Sequence, residues 1–542
     1  MPELPGKAGQ SNRSRHLVEG LEGAAVSIER LANLAQWDAW TTGKSVAYDK
    51  AEALAMKYKK VFVHRKDREE ASQLLAAKDW NAKPFVRRRL QVLYKLLVEY
   101  GQPRRELEVL TELETRLDRL FSTFRPNLNG QPLSSGELSA ILEHSTDRDQ
   151  RRRAWSAQKA IGPLAAPLFL ELMTRRNKMA RGLGYPDFWH MQLELNELDA
   201  DRLLAILDNV REHTDEPFRK VRTEIDRAVS TFLSIAPGDI RPWDMSDPFF
   251  QELPSCMRPN LGTMLDDVDP VEAVREWFSG IGFNVDTILE NSSLYEAPGK
   301  NSHAFCVDLD RAGDVRILCN VRNTLHWHTT LLHELGHALY SAHVDRALPW
   351  SLRAEAHSLT TEGVAMFFEA MAVSEDYLAK VLGASSSQSA GLAAQLRRSR
   401  VLARLLFSRW CQVMVRFEKS AYENPEQDLD RTWWKLVQRY QLMECPQGGS
   451  GADWATKIHL SIAPVYYQNY LLGEIFAAQL RHTLSARPVT AGSNSLAPWM
   501  TDNIFAPGRR DPWPMLVETA TGEPLEPGYL LAELLPGEAG RG

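Results

Sequence analysis

The chain is dominated by apolar residues spaced three and four positions apart, a pattern typical of helices that bury one face. This pattern covers residues 17–120, where many charged residues lie between the apolar ones. A turn-rich segment, FRPNLNGQPLSSGE at residues 124–137, interrupts it. The pattern resumes at 141–185, 199–233 and 270–280, so we expect helices in each of these ranges.

Residues 303–321 have a different pattern. HAFCVDLD and DVRILCNV are short alternating or β-branched runs separated by a turn sequence, which predicts a β-hairpin. After residue 324 the helical pattern returns, apart from loops rich in Pro and Gly at 446–451 and 486–498. The chain is therefore predicted to be mainly α, with one small β element and a polar, flexible tail at residues 1–16.

Composition narrows the class of protein. The 542 residues are 44% hydrophobic and carry a net charge of -6, which favours neither nucleic acid nor an anionic membrane as a partner. No apolar run approaches the roughly 20 residues that span a bilayer, and no signal-peptide pattern opens the chain. We therefore expect a cytoplasmic protein, whose five scattered cysteines are mostly reduced and act as small core hydrophobes.

Candidate chemistry is concentrated in the segment HTTLLHELGHALYS. His333 and His337 are four residues apart, so both imidazoles can reach one metal ion from one face of a helix. Zinc suits two neutral nitrogens plus a carboxylate, with a fourth position left for water. Glu334 would then act as the general base that accepts a proton from the attacking water. Chance alone can supply so short a motif, so its context matters.

A third ligand is needed, and the helical segment HSLTTEGVAMFFEAM provides two candidates. Glu362 lies 29 residues after His333, in the predicted first turn of a helix with Thr360 or Thr361 as its N-cap. Glu369 lies two turns further on and roughly on the same face, so it is the competing ligand or else an outer carboxylate. We favour Glu362.

Polar residues that could bind a peptide cluster near the carboxyl end. They are Lys457, His459, Tyr466, Tyr467 and Tyr470, all within 14 residues. Tyr470 lies three and four residues after the other two tyrosines, so two phenols can share one helix face and serve as donors to an oxyanion. Aromatic residues at this spacing are also common in helix cores, so the cluster is weak evidence by itself.

Several segments, in matching order, resemble the angiotensin-converting enzyme family of zinc peptidyl dipeptidases, most clearly over residues 303–480. The resemblance runs through His303-Ala304 and the hairpin, HELGH, LPWSLR, Trp433-Trp434 with Tyr440-Gln441, and Lys457-x-His459. It implies a helical ellipsoid with a deep central channel, forming a single domain over residues 17–542. In that domain, residues 17–123 would form lid-like helices and residues 138–542 the catalytic body.

The resemblance also implies roles for individual residues. His333, His337 and Glu362 would bind one zinc ion (Zn²⁺) per chain, with Glu334 as the base and later proton donor. His459 and a tyrosine, for which we favour Tyr470 over Tyr467, would stabilise the oxyanion. The substrate would be held by His303 and Ala304 along an edge strand, and by Lys457 with Tyr466 or Tyr467 at its C-terminal carboxylate.

Some positions depart from the family pattern. Asn469 and Val437 replace two arginines of the animal enzymes, which argues against chloride activation. A glutamine that holds the C-terminal carboxylate aligns with Val268, and Ser302 replaces the usual disulfide partner of Cys319. The segment HELGHALY also resembles the corresponding segment of thimet-type oligopeptidases and of a thermostable carboxypeptidase family.

The leading hypothesis is zinc-dependent release of C-terminal dipeptides from short oligopeptides. The alternatives are an oligoendopeptidase or a carboxypeptidase of the same fold. A catalytically silent, zinc-stabilised binding protein belongs to a different class, and Glu334 argues against it because a structural zinc site has no need of a base.

Overall fold

A computed structural model describes residues 7–77, 84–128, 130–261, 264–383, 385–446, 451–487 and 495–535. Helices dominate these residues. The first group of helices is α1 (Lys7–Thr42), α2 (Ser45–Lys60), α3 (Arg65–Ala76), α4 (Pro84–Tyr100) and α5 (Arg104–Thr123). The second group is α6 (Ser135–His144), α7 (Arg148–Lys159), α8 (Gly162–Gly182), α9 (Phe188–Leu195), α10 (Ala200–Leu233), α11 (Pro270–Gly280) and α12 (Asp286–Asn291).

The remaining helices follow residue 324. They are α13 (Leu325–His343), α14 (Ser358–Glu369), α15 (Glu375–Leu382), α16 (Ser386–Glu423), α17 (Leu429–Gln441), α18 (His459–Ile462), α19 (Gln468–Ser485), α20 (Leu496–Met500), α21 (Trp513–Thr521) and α22 (Gly528–Leu534). The prediction of a mainly α protein is confirmed, and α10 and α11 occupy nearly the predicted ranges.

Two small antiparallel hairpins interrupt the helices. Strands β3 (Phe305–Asp308) and β4 (Val315–Leu318) form the predicted hairpin, with Phe305 opposite Leu318. Strands β1 (Asn127–Leu128) and β2 (Gln131–Pro132) form a second one, so the prediction of a single β element is wrong. Between the two strands of the missed hairpin the sequence reads Asn-Gly, a pair that favours tight hairpins. Its strands of two residues are too short to show alternation.

Two predicted helix starts lie too late. Residues 1–6 of the predicted tail are outside the described residues, but α1 already begins at Lys7. Contacts with the rest of the protein explain this difference, since Arg13 pairs with Glu70 at 3.0 Å and Ser14 is buried. The other helix, α14, begins at Ser358 rather than after Thr360 or Thr361.

The early start of α14 has a local cause. The ring nitrogen Nδ1 of His357 accepts the Leu359 N–H at 2.9 Å, and Thr360 Oγ1 accepts the His357 N–H at 3.1 Å. These two bonds form a capping box, an arrangement usually made by Ser or Thr with Glu or Gln. Glu362 therefore lies in the second turn of α14 rather than the first.

Glycines allow the three central helices to approach closely. A Cβ atom on Gly336 of α13 would lie 2.8 Å from Ala365 Cα of α14. On the other side of α14, a Cβ atom on Gly473 of α19 would lie 2.8 Å from Glu362 Cβ. Contacts this short exclude a side chain, so α14 is held between α13 and α19 with little freedom to shift.

The N-terminal helices have a small core of their own and also contact the hairpin. Val18, Leu90 and Leu97 belong to this separate buried cluster. On α1, Asn33 donates to the carbonyl of Leu309 at 3.2 Å, and Glu29 accepts from Arg311 at 2.6 Å. The predicted division into a lid and a catalytic body remains a prediction.

Among the described residues, no helix combines the length and apolar character that crossing a membrane requires. All five cysteines are free, so Cys319 has no disulfide partner, as predicted. Cys319 and Cys411 are buried, whereas Cys256 and Cys445 are exposed. The predicted role of small core hydrophobe therefore fits Cys319 and Cys411 but not the two exposed cysteines.

Candidate metal centre

The predicted metal helix forms as expected. α13 places His333 and His337 on one face, and their Nε2 atoms lie 3.2 Å apart. Both rings are half-buried, and the neighbouring turns pack into the core through Leu332 and Leu335. The motif therefore brings two imidazole nitrogens to one point from a rigid element.

Glu362 of α14 completes a group of three possible ligands. Its Oε2 atom lies 3.7 Å from His333 Nε2 and 3.8 Å from His337 Nε2. This oxygen is buried and has no hydrogen-bond partner, although a buried carboxylate oxygen normally has one. Tetrahedral zinc with ligands at 2.0–2.1 Å needs ligand atoms about 3.3 Å apart. The three side chains therefore fit a zinc ion.

Outer partners orient both imidazoles. Nδ1 of His333 donates to Glu369 Oε2 at 3.0 Å, and Nδ1 of His337 is hydrogen-bonded to Thr361 Oγ1 at 2.7 Å. Such bonds fix the ring orientation and leave Nε2 for the metal. Glu369, the competing ligand in the sequence, thus contacts the far side of His333 and lies outside the group of three.

Charges around the histidines shift their pKa values. Burial alone would lower the pKa of His333, but the hydrogen bond to Glu369 and the nearby carboxylates outweigh it and raise the value to about 9. Burial raises the pKa of Glu334 to about 7, against the opposing effect of His333. A carboxyl group with a pKa near neutrality suits a general base.

The predicted oxyanion donors lie together beside the ligand group. The ring centroid of His459 is 5.0 Å from that of Tyr467 and 6.4 Å from that of Tyr470. Burial lowers the pKa of His459 well below its usual value, so the ring is neutral, and its buried Nδ1 has no partner. Burial and Glu362 raise the pKa of Tyr470 well above 10, so its hydroxyl stays protonated.

The three tyrosines have different surroundings. The Tyr466 hydroxyl donates to Glu362 Oε1 at 2.7 Å, which holds the carboxylate so that Oε2 faces the histidines. Tyr467 is buried, 6.0 Å from the Trp410 ring. Tyr470 is only partly buried, and among the three tyrosines it is Tyr466 that donates to Glu362, so Tyr470 is the most available as a donor to the substrate.

A cationic group lies beyond His459. Lys457 is 9% exposed, and its ammonium donates to Gln251 Oε1 at 3.1 Å. The ammonium lies 4.7 Å from the Phe249 ring centroid and 5.4 Å from that of Trp410. In the described part of the chain, no carboxylate lies within 4.0 Å of it. Burial lowers the pKa of Lys457 to about 8. This ammonium is therefore available to a carboxylate from outside the protein.

Gln251 is the residue that the sequence did not reveal. Alignment placed Val268 at the position of a carboxylate-binding glutamine, but Val268 only closes a turn with Leu265. The loop that carries Gln251 is irregular, and the backbone carbonyls of Phe249 and Phe250 accept hydrogen bonds from Gln441 of α17. No local pattern could have predicted this placement.

The hairpin presents one free edge to the site. In the described residues β3 pairs only with β4, whose other side forms a bridge at Ser293. Ala304 directly precedes β3. The His303 side chain is accessible to solvent but is surrounded by many protein atoms, and this desolvation together with the charge of Lys457 lowers its pKa. The charge of Lys457 thus acts on His303, and both residues act on His459. Tyr470 in turn interacts electrostatically with Glu362 and Glu334.

Comparison with known proteins supports the class that this site indicates. Residues 292–525, which include α13, α14 and the tyrosine cluster, match the family model described as Peptidase family M3. The match covers less than half of the chain. It supports a zinc metallopeptidase that hydrolyses oligopeptides, without distinguishing a peptidyl dipeptidase. A search of curated proteins found no match.

Proposed function

We propose that this protein is a zinc peptidyl dipeptidase that removes dipeptides from the free carboxyl end of short oligopeptides. One observation carries the proposal. Near the possible ligands His333, His337 and Glu362 lies the buried Lys457, whose ammonium has no carboxylate within 4.0 Å among the described residues. A hydrolytic centre near a fixed cation favours peptides whose C-terminal carboxylate reaches that cation.

The hydrolytic step divides among the residues of the site. A bound zinc ion would polarise the scissile carbonyl and lower the pKa of a water molecule. Glu334 accepts the proton of the attacking water and then passes it to the leaving amine. His459 and Tyr470 donate hydrogen bonds to the developing oxyanion, and because His459 is neutral it can do so through a ring N–H.

Substrate binding uses the other side of the site. The peptide adds to the free edge of β3 next to His303 and Ala304, so its backbone is held in an extended conformation. Lys457 and Gln251 hold the C-terminal carboxylate, with Tyr467 as a neighbouring wall. In this assignment Tyr466 orients Glu362 and is not a direct contact of the substrate.

The second candidate is an oligoendopeptidase of the same fold. The match to Peptidase family M3 favours it, because that match supports oligopeptide hydrolysis without requiring a free carboxyl end. Under either function, we propose a cytoplasmic protein that binds one zinc ion per chain and acts on short peptides, as expected from the sequence.

Paired peptides test the choice. Zinc-loaded enzyme is incubated with one peptide as the free acid and as the C-terminal amide, and products are identified by mass spectrometry. We expect dipeptide release from the acid and a kcat/KM at least about tenfold lower for the amide, since the amide loses its charge pair with Lys457. Equal cleavage of both forms at internal bonds would establish the oligoendopeptidase instead.

A further inference from the structure

A polar cavity lies between α10 and α17, and its described lining includes none of the proposed metal ligands. Its volume is about 200 Å³, which leaves room for several water molecules. Arg211, Arg219 and Arg439 line it, together with Phe218 and Tyr440. Asp215 is the one carboxylate among the described lining residues. The walls are therefore mainly cationic and aromatic.

The carboxylates nearby do not neutralise all of these arginines. Arg211 is paired with Asp208 at 3.4 Å, Glu212 at 2.7 Å and Asp215 at 3.3 Å. Arg219 contacts Glu216 at 3.4 Å, and both side chains are more than half exposed. Within the described chain, Arg439 has no carboxylate within 4.0 Å. Its guanidinium instead lies 5.4 Å from the centroid of the Tyr440 ring.

A fourth guanidinium lies behind the wall, next to two residues that line the cavity. Arg409 of α16 is 1% exposed, and its Nη1 donates to Asp215 at 2.7 Å. Its guanidinium carbon lies 5.1 Å from the centroid of the Phe218 ring, which lines the cavity. Its Nε and Nη2 atoms are buried and have no hydrogen-bond partner. Arg409 thus offsets, from behind the wall, the charge of Asp215, the one carboxylate among the described lining residues.

We propose that this cavity is a binding site for phosphate, either free or as a phosphate monoester. Arginine forks bond phosphate oxygens in pairs, and arginines approaching from different helices suit a tetrahedral anion better than a planar carboxylate. Arg219 is 61% exposed, so the ligand can enter from solvent. The site is separate from the metal ligands and is independent of the proposed peptidase activity.

Calorimetric titration of the zinc-loaded enzyme with sodium phosphate tests the site, with phenyl phosphate as the monoester. Ionic strength is held constant with sodium chloride. We expect saturable binding of phosphate, at least about tenfold weaker in Arg219→Gln and in Arg439→Gln, because each loses charged hydrogen bonds. Arg227→Gln is the matched control, an exposed arginine of α10 outside the cavity, and should bind like the wild type.

The monoester titration separates the two sources of the anion. Tighter binding of phenyl phosphate than of phosphate would identify a monoester, whose organic group contacts Phe218 and Tyr440, whereas weaker binding would identify free phosphate. Absence of saturable binding of either compound overturns the proposal. Binding that both cavity variants retain at wild-type strength also overturns it, since the anion would then bind elsewhere, such as at the metal centre.

Discussion

Each side chain of the metal centre has a separate task that its surroundings explain. Glu334 contributes no ligand atom to the group of three, yet it is buried beside them and its pKa is raised to about 7. A carboxylate in this position is costly to bury and serves no packing purpose, which is consistent with a base rather than a structural group.

Replacement of Glu334 by Gln tests that role. The isosteric amide leaves the three ligands unchanged, so Glu334→Gln should retain one zinc ion per chain by elemental analysis. Peptide hydrolysis should fall by about 10²-fold or more because the proton acceptor is lost. Hydrolysis at the wild-type rate would exclude Glu334 as the base.

Glu369 acts through His333, from which it accepts a hydrogen bond at 3.0 Å. Glu369→Gln should lower zinc affinity by about 10- to 100-fold, measured by competition with a chelator, because the ring loses its charged partner. Glu375→Gln, at the start of α15 and outside the ligand group, is the control and should leave affinity unchanged.

The Lys457 ammonium should impose a pH limit on substrate binding. Its pKa is lowered to about 8, so the charged form is complete well below pH 8 and is lost as pH rises through that value. KM for free-acid peptides should therefore increase above about pH 8. In Lys457→Met, KM should be high at all pH values. A wild-type KM that stays constant from pH 7 to 9 would contradict the clamp.

Among the elements, the contact between α13 and α14 determines where Glu362 lies relative to the histidines. Sequence spacing alone allows either Glu362 or Glu369 to face the metal helix. The close approach at Gly336 and Gly473 holds α14 at the one position in which Glu362 Oε2 is within 4 Å of both histidines. The glycines are thus part of the metal centre although they bear no ligand.

Gly336→Ala should disturb this contact. Its Cβ would lie 2.8 Å from the α14 backbone, an overlap of a kind that costs about 1–3 kcal/mol and that outweighs the higher helix propensity of alanine. We expect a lower free energy of unfolding together with weaker zinc binding. Gly391→Ala in α16 is the control, since nothing lies within 4 Å of its added Cβ. It should be neutral or stabilising by up to about 1 kcal/mol.

The molecule as a whole has its proposed ligands on two helices joined by a loop. His333 and His337 come from α13 and Glu362 from α14, so a bound metal links them in the folded state only. Around this pair, α1 contacts the hairpin through Asn33 and Glu29, which connects the N-terminal helices to the edge strand beside the site.

Zinc removal should therefore lower stability measurably. A ligand at 1,000 times its Kd stabilises the folded state by about 4 kcal/mol, so dialysis against a chelator should lower Tm and added zinc should restore it. Glu334→Gln should show the same zinc-dependent shift, whereas His337→Ala should show almost none. An equal shift in His337→Ala would place the stabilising metal elsewhere.

The sequence by itself determined the features that depend on short separations. The metal helix, the β3–β4 hairpin and the α10 and α11 ranges follow from periodicity and turn residues within a few positions. The pairing of His333 with His337 belongs to this group, because four residues span one helical turn. The predicted N-cap of α14 was wrong because His357, an unusual capping residue, caps this helix instead of Thr360 or Thr361.

Only the tertiary structure decided how distant segments meet. It placed Glu362 rather than Glu369 among the possible ligands, brought Gln251 to Lys457, and assembled arginines of α10 and α17 around one cavity. These contacts join residues tens to hundreds of positions apart. Their distances depend on how helices pack around shared glycines and buried side chains, which no local pattern of hydrophobic and polar positions records.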